Sequence, residues 1–261
     1  MTSYRAPGAN AAVAAAVALL CTVSAASLSG QSIAERVAAV RDGQVRISFT
    51  AREGVCGNGR NISTHRDTED WEAWCEPGPV RVALDIANGR IVDIDTYVGG
   101  RWRPRSNVTD LGMVAAPEAA RYFLDLAARS SGSVSKDAVF PPVLADSIEV
   151  WPELLAIAKD RDRPRETRKA AVFWVSQAAG EAASEGLEDI VYDDAGDREV
   201  RRSAVFALSQ LREDEGVPVL IRIARTHQDP SIRKNAIFWL GQSEDPRAIA
   251  LFEELLLKPT P

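Results

Sequence analysis

An eleven-residue pattern occurs three times in the C-terminal part of the chain, at residues 167–177, 200–210 and 232–242. Each copy has a β-branched residue, two basic residues, an Ala-Val-Phe or Ala-Ile-Phe triplet, and a final Gln. The phenylalanines, Phe173, Phe206 and Phe238, are spaced by 33 and 32 residues. Such a period is typical of a two-helix unit that buries its apolar side only by stacking against further copies. We therefore expect this part of the chain to form a stacked helical array.

Each copy predicts one helix with a continuous stripe along one side. In the first copy the stripe positions are Thr167, Ala171, Trp174 and Val175. Phe173 lies off this stripe, so the helix is apolar on more than one side, as expected between its own partner helix and the next repeat. Because Trp174 and its counterpart Trp239 lie on the stripe, we favour a core position for both over a ligand-binding role.

Apolar segments between the copies predict the partner helices, at residues 151–160, 181–192, 216–226 and 246–258. Turns rich in Asp, Gly and Pro separate the helices, as at Asp229-Pro230. The sequences Asp-x-x-Val-Arg-Arg-x-Ala at 197–204 and Asp-Pro-Ser-Ile-Arg-Lys-x-Ala at 229–236 resemble the HEAT and HEAT-like repeats. The resemblance covers roughly residues 151–258, although Pro164 stands in the first copy where the later copies have Asp.

The resemblance implies an α-α superhelix that serves mostly as a scaffold for protein partners. A related subset of these repeats includes bilin-attaching lyases, but the repeats alone do not carry that chemistry, and nothing in the sequence supports a bilin. Each copy also carries a basic pair: Arg168-Lys169, Arg201-Arg202 and Arg233-Lys234. These residues either form a surface for an acidic ligand or pair with Asp197 and Asp229 of adjacent repeats, as the resemblance implies.

A small α+β domain is predicted at residues 31–112, followed by connecting and capping helices at 113–150. Side chains alternate between apolar and polar in three runs, at 45–51, 80–86 and 92–98, which predicts a three-stranded antiparallel sheet. A three-residue loop at 87–89 is expected to pair Leu84 with Val92 and Arg81 with Asp95. Helices are expected at 31–41 and 117–129. The predicted fold class is mostly α, with this domain preceding the repeats at 151–261.

Cys56 and Cys75 are the only cysteines after residue 30, and we expect them to form a disulfide. A zinc site formed by these cysteines and His65 would lack a fourth ligand, so no metal is expected. The loop between the cysteines also holds Trp71 and Trp74. These tryptophans either pack over the sheet or bind a partner, because exposed tryptophan is common in binding surfaces.

Residues 1–30 predict a cleaved signal peptide and hence export to the periplasm or the medium. They contain one charged residue, Arg5, and an uncharged run from Ala11 to Val23 that is Ala, Val and Leu apart from Cys21 and Thr22 and is followed by small residues. An uncleaved membrane anchor and a lipoprotein with Cys21 are the alternatives. The whole chain has a net charge of −6, and an acidic protein is unsuited to nucleic acid or an anionic membrane surface.

We therefore predict an exported, non-enzymatic interaction protein that binds a polypeptide partner through its repeats, without a cofactor. The candidate partner-binding residues are Arg168, Arg201, Arg202, Arg233, Lys234, Trp71 and Trp74. No motif of a known catalytic site accompanies either histidine, His65 or His227. The alternatives are a small-ligand or lipid sensor, with a pocket between the sheet and the first helices, and an accessory lyase-type enzyme.

Overall fold

A mixed sheet with helices on one face precedes a stack of paired helices in the computed structural model of the protein. The structure describes residues 31–64, 75–178, 183–211 and 215–257, and those from Ser32 onward belong to one compact unit. The predicted signal peptide at 1–30 and the predicted partner-binding residues Trp71 and Trp74 lie outside the described residues, as does His65.

The strands are β1 (Gly43–Phe49), β2 (Cys56–Asn58), β3 (Asn61–Ser63), β4 (Val80–Ala87), β5 (Arg90–Val98) and β6 (Val108–Met113). Four strands form one sheet in the order β5-β4-β1-β6, while β2 and β3 form a separate hairpin. Strand β1 runs antiparallel to β4 and parallel to β6. The predicted three-stranded sheet therefore lacked one strand. Only Leu111 of β6 is buried, so this edge strand has almost no apolar alternation to detect.

The predicted pairing of β4 with β5 was wrong by two residues. Ala87 pairs with Arg90, so the loop is a two-residue Asn-Gly turn, in which both residues have positive φ. A bulge between Asp85 and Ile86 then places Leu84 opposite Ile94 instead of Val92. Because side chains alternate with a period of two, this shift leaves the apolar residues on the predicted face.

The apolar face of the sheet packs against two of the first helices, α1 (Ile33–Ala38) and α2 (Ala116–Arg129). Phe49 of β1 and Phe123 of α2 are fully buried, with ring centroids 6.4 Å apart. Two short helices follow, α3 (Gly132–Asp137) and α4 (Phe140–Val143). This hydrophobic core continues without interruption into the repeats.

The repeat helices are α5 (Trp151–Lys159), α6 (Arg165–Ala178), α7 (Ser184–Tyr192), α8 (Arg198–Ser209), α9 (Val217–Thr226), α10 (Pro230–Leu240) and α11 (Pro246–Leu257). The predicted stack of helix pairs is confirmed, since α5 packs on α6, α7 on α8 and α9 on α10. Asp197 and Asp229 cap α8 and α10, and each accepts a hydrogen bond of 2.8 Å from the amide two residues later. No helix in the described part of the chain is both long and apolar enough to span a membrane.

The predicted disulfide between Cys56 and Cys75 is present, with Cα atoms 5.1 Å apart. It holds the β2–β3 hairpin beside the end of β5, where Gly59 and Val98 exchange backbone hydrogen bonds of 2.9 and 3.0 Å. Gly99 has a φ of +61°, and a Cβ atom there would lie 2.2 Å from the Gly57 carbonyl oxygen. Only glycine allows the chain to turn this close to the hairpin, and the turn directs residues 100–105 back across the sheet.

Candidate protein-binding surface

The second helices of the repeats, α6, α8 and α10, lie side by side in one layer. Their contacts with one another are more extensive than those between the first helices, α5, α7, α9 and α11. The array therefore curves toward the second helices, and extended curved surfaces of this kind are what repeat proteins use for binding.

Aromatic rings form a continuous row along the second helices. We define the aromatic row as Phe140, Phe173, Trp174, Phe206, Phe238 and Trp239. The row starts where Phe140 of α4 stacks on Trp174 of α6, with centroids 4.5 Å apart. Phe173 lies 4.8 Å from Trp174 and 6.5 Å from Phe206, whose ring it parallels within 8°. The row ends in α10, where Trp239 lies 4.8 Å from Phe206 and 4.9 Å from Phe238.

The aromatic row is partly open to solvent. Phe173 and Phe238 are 37% and 56% exposed, and the other four rings are half-buried. The two tryptophans that the sequence placed in the core therefore lie at its edge. The regular spacing of the phenylalanines is the sequence signal for this row, because the second apolar side of such a helix can be exposed as well as buried. Exposed large aromatic side chains in contact with one another are typical of binding surfaces.

The first residue of each basic pair makes hydrogen bonds or ion pairs with other parts of the protein. Arg168 is 6% exposed, and its Nε donates to the Ala158 carbonyl at 3.0 Å. Arg201 is 8% exposed and lies 3.7 Å from Asp229 of the next repeat. Arg233 donates to the backbone carbonyl of His227 at 2.7 Å. These three arginines therefore hold turns and neighbouring repeats together.

The second residue of each pair lies at the surface beside the aromatic row, where Arg202 and Lys234 are exposed and Lys169 is half-buried. Lys169, Arg202 and Lys234 each precede a phenylalanine of the row by four residues, so both lie on the same helix face. We call these three residues the basic row. Lys169 and Arg202 make ion pairs of 3.3 and 3.5 Å with glutamates one turn earlier in their own helices. Exposed pairs of this kind contribute little, about 0.3–0.5 kcal/mol, and leave the cations available to a partner.

Ion pairs also join successive repeats. Arg165 lies 3.1 Å from Asp197, Arg161 lies 2.5 Å from Asp193, and Lys159 lies 2.9 Å from Asp189. At Asp229, the hydrogen bond from the Ser231 amide lowers the pKa of the carboxyl, as do the nearby guanidinium groups. The inter-repeat contacts of the array are thus electrostatic as well as apolar.

His227 has a structural role at the end of α9. Its side chain is 2% exposed, and its Nδ1 accepts a hydrogen bond of 3.0 Å from the Asp229 amide. The proton is therefore on Nε2, which donates to the Val191 carbonyl at 3.1 Å. Both nitrogens are thereby engaged between repeats. Within the described residues, no group of three or more His, Cys, Asp or Glu side chains is placed to hold a metal ion.

One cleft lies beside the repeats and another lies beside the sheet. A cleft of about 320 Å³ lies at one end of the aromatic row, lined by Trp239 and by Gln210 and Gln242 of the repeated pattern. Both glutamines are exposed. A second cleft, of about 420 Å³, lies between the sheet and α1–α3, where the sensor alternative places its pocket. Tyr122 lines it, and burial raises the pKa of its hydroxyl to about 12.

One of three comparisons with known proteins, a match to a family of repeats, bears on this description. No curated protein matches the chain in sequence. One similar solved structure is that of the complex of CpcE and CpcF of phycocyanin lyase from Nostoc sp. PCC7120. The match has 20% identity and a TM-score of 0.39, and it covers 55% of this chain and 91% of that one. Residues 192–261 match the family of HEAT repeats, and the C-terminal part of the chain is a HEAT-like repeat region.

Proposed function

We propose that the protein is an exported, non-enzymatic scaffold that binds a polypeptide partner along the aromatic row. The observation that carries this proposal is the unbroken contact of six rings across α4, α6, α8 and α10, with Phe173 and Phe238 more than one third exposed. A chain of contacting aromatics supplies a large apolar area at low entropic cost, because each ring is already held by its neighbours.

The basic row defines the chemistry of the partner segment. Lys169, Arg202 and Lys234 line the exposed aromatics at intervals of one repeat. A segment that combines apolar side chains with regularly spaced carboxylates would fill the aromatic row and neutralise these cations. Such charges guide association and orientation, while the aromatic contacts supply most of the affinity.

Export is the second part of the proposal and rests on the sequence. Residues 1–30 have the apolar run and the small-residue end of a cleavable signal. The disulfide between Cys56 and Cys75 is consistent with an oxidising compartment. Intact-mass measurement of the mature chain tests this directly, because cleavage near residue 26 removes a defined mass and the disulfide removes two hydrogens. A mature chain that retains residues 1–30 would exclude a cleaved signal.

Binding is tested by affinity capture from the native envelope with three forms of the mature protein. The row variant, Phe173→Ala/Phe238→Ala, truncates the exposed rings. The control variant, Ile249→Ala/Leu255→Ala, truncates two α11 residues that are 53% and 48% exposed. A genuine partner is captured by the wild type and by the control but not by the row variant. With that partner purified, we expect the row variant to raise Kd by roughly 100-fold, since central aromatic contacts contribute about 2 kcal/mol or more.

The two variants remove similar amounts of exposed apolar surface, so loss of capture by both would indicate nonspecific hydrophobic binding rather than a specific site. If the row variant and the wild type capture the same proteins with the same Kd, the aromatic row is not the binding surface. Equal melting temperatures of the three forms are required for either conclusion.

A further inference from the structure

The face of the sheet that is turned away from the helices carries a groove of about 800 Å³. Arg46 of β1 lies on this face, because its neighbours Val45 and Ile47 point into the core with α2. Residues 58–60 of the β2–β3 hairpin form one wall, and residues 100–105 form another. Both walls are fixed: the disulfide anchors the hairpin, and the glycine turn at 99–100 directs the second segment along the groove.

Positive charge in and beside the groove exceeds negative charge. The six arginines are Arg46, Arg60, Arg81, Arg101, Arg103 and Arg105. Two of the six make ion pairs with carboxylates, Arg60 with Asp95 and Arg105 with Asp85. Asp95 accepts hydrogen bonds from Arg60 at 2.5 Å and from the Tyr97 hydroxyl at 3.0 Å. Asp85 accepts hydrogen bonds of 2.9 Å from Arg105 and Gln44. Each carboxylate is therefore already engaged by one arginine.

The other four arginines make no ion pair with any carboxylate of the described residues. Arg46 and Arg81 both lie over the ring of Trp102, with guanidinium carbons 4.6 and 4.8 Å from its centroid. Arg81 is 7% exposed and donates to the Gly99 carbonyl. Burial lowers the pKa of Arg81, and the nearby positive charge of Arg46 lowers it further. Arg101 and Arg103 are exposed at the rim.

A buried guanidinium beside a second one is unfavourable unless an anion compensates the charge. Proteins keep such uncompensated features mainly at functional sites. Among the described residues, Arg46 and Arg81 have no carboxylate within ion-pair distance, and Arg101 and Arg103 add two exposed cations at the rim, so the groove is suited to more than one negative group. Arginine is also the side chain best suited to carboxylates and phosphates, which it binds through two parallel hydrogen bonds.

We propose that this groove binds a small organic polyanion carrying at least two carboxylate or phosphate groups. The volume lies within the range of small-molecule sites, about 300–1,000 Å³. The ring of Trp102 is already covered by two guanidinium groups, which leaves the ligand to be recognised by charge and hydrogen bonding. The site is on the opposite face of the sheet from α2, so it is separate from the aromatic row and independent of the proposed scaffold function.

The test is isothermal titration of the full mature protein with pyrophosphate and, separately, with citrate at low ionic strength. The groove variant is Arg101→Gln/Arg103→Gln, which removes two exposed cations. The control is Arg121→Gln/Arg129→Gln, which makes the same change of net charge at two exposed residues of α2, on the other face of the sheet. We expect saturable binding of at least one anion by the wild type and the control, and a roughly 10-fold higher Kd in the groove variant.

The two anions distinguish the source of the oxygen groups, since preference for pyrophosphate indicates a phosphate ligand and preference for citrate a carboxylate ligand. Quenching of tryptophan fluorescence on binding, lost in a Trp102→Phe variant, would place the anion at the groove. The proposal is overturned if neither anion binds saturably, or if the groove and control variants weaken binding equally. Binding of hexaglutamate without binding of either small anion would also overturn it, in favour of an acidic polypeptide.

Discussion

Arginine is used in opposite ways by the repeat region and by the outer face of the sheet. In the repeats, the buried Arg201 lies 3.6 Å from Asp194 and 3.7 Å from Asp229, two carboxylates that compensate its charge. On the sheet, Arg46 and Arg81 stack over the same tryptophan without a carboxylate among the described residues. Paired arginines hold a fold together, whereas unpaired ones that are held in place cost stability.

This difference separates the two candidate sites by their chemistry. The repeats pair the buried Arg201 with Asp194 and Asp229 and leave aromatic rings exposed, so their surface is suited to an apolar segment with some acidic groups. The sheet buries its apolar residues against α1 and α2, and its opposite face carries the groove lined by arginines. One chain thus presents a surface suited to a polypeptide and a separate groove suited to a small anion.

Of the changes that test this comparison, removal of the disulfide is expected to have the largest effect on the free energy of unfolding. The Cys56→Ala/Cys75→Ala variant frees a loop whose ends are 19 residues apart, which should lower the free energy of unfolding by about 3 kcal/mol. The same change releases the hairpin wall of the groove, so polyanion affinity should fall while partner binding by the repeats is retained. Urea unfolding and titration check the two effects. An unchanged unfolding free energy would show that the disulfide does not stabilise the fold.

A smaller effect is expected from neutralising one arginine of a basic pair. Arg201→Met removes a cation 10% exposed at the side chain from between Asp194 and Asp229, which should cost about 1–2 kcal/mol. Arg202→Met removes its exposed neighbour and should change the unfolding free energy by less than about 0.5 kcal/mol. Thermal and urea unfolding of the two variants give the comparison. Equal losses would contradict the division of each pair into an internal and a surface residue.

The pH dependence of stability tests the paired charges of the repeats. The hydrogen bond from Ser231 and the nearby arginines lower the pKa of Asp229 below its unfolded value, which is about 3.9. This carboxylate therefore stabilises the fold above that pH, and its contribution is lost as pH falls through the folded-state pKa. Asp229→Asn keeps a capping side chain but does not titrate. Its deficit relative to wild type should be largest at neutral pH and shrink in acid, whereas a deficit independent of pH would show that the charge is not involved.

The repeat helices could be predicted from sequence because every signal that defines them is local. Apolar spacing, capping at Asp197 and Asp229, and the 33- and 32-residue steps all lie within one or two helices. The sheet depends on distant contacts, and two of these were missed: the parallel pairing of β6 with β1, and the bulge that resets the β4–β5 register. Neither the β6–β1 pairing nor the bulge is indicated by a sequence pattern in the strands that form it.

The two candidate sites also differ in how far local sequence patterns reveal them. The phenylalanines of the aromatic row recur in register, so their alignment was visible, although their exposure depends on how the helices curve. The groove combines β1, the hairpin and residues 100–105, and no local pattern shows that Arg46, Arg81 and Trp102 meet. The available signal was the run Arg101-Trp102-Arg103-Pro104-Arg105, which alternates cations with bulky residues outside any predicted element.

The smallest effect on the free energy of unfolding is expected from changes at the rim of the groove. The sign of this effect shows whether the rim arginines support the fold or repel one another. Arg101→Gln/Arg103→Gln removes two exposed cations that face other cations, so the unfolding free energy should stay the same or rise by less than about 0.5 kcal/mol. Any gain should diminish in high salt, because added ions screen the repulsion between exposed charges. Urea unfolding at low and high ionic strength measures this. A clear loss of stability that salt does not change would mean that these arginines support the fold, and the contrast with the paired arginines of the repeats would then disappear.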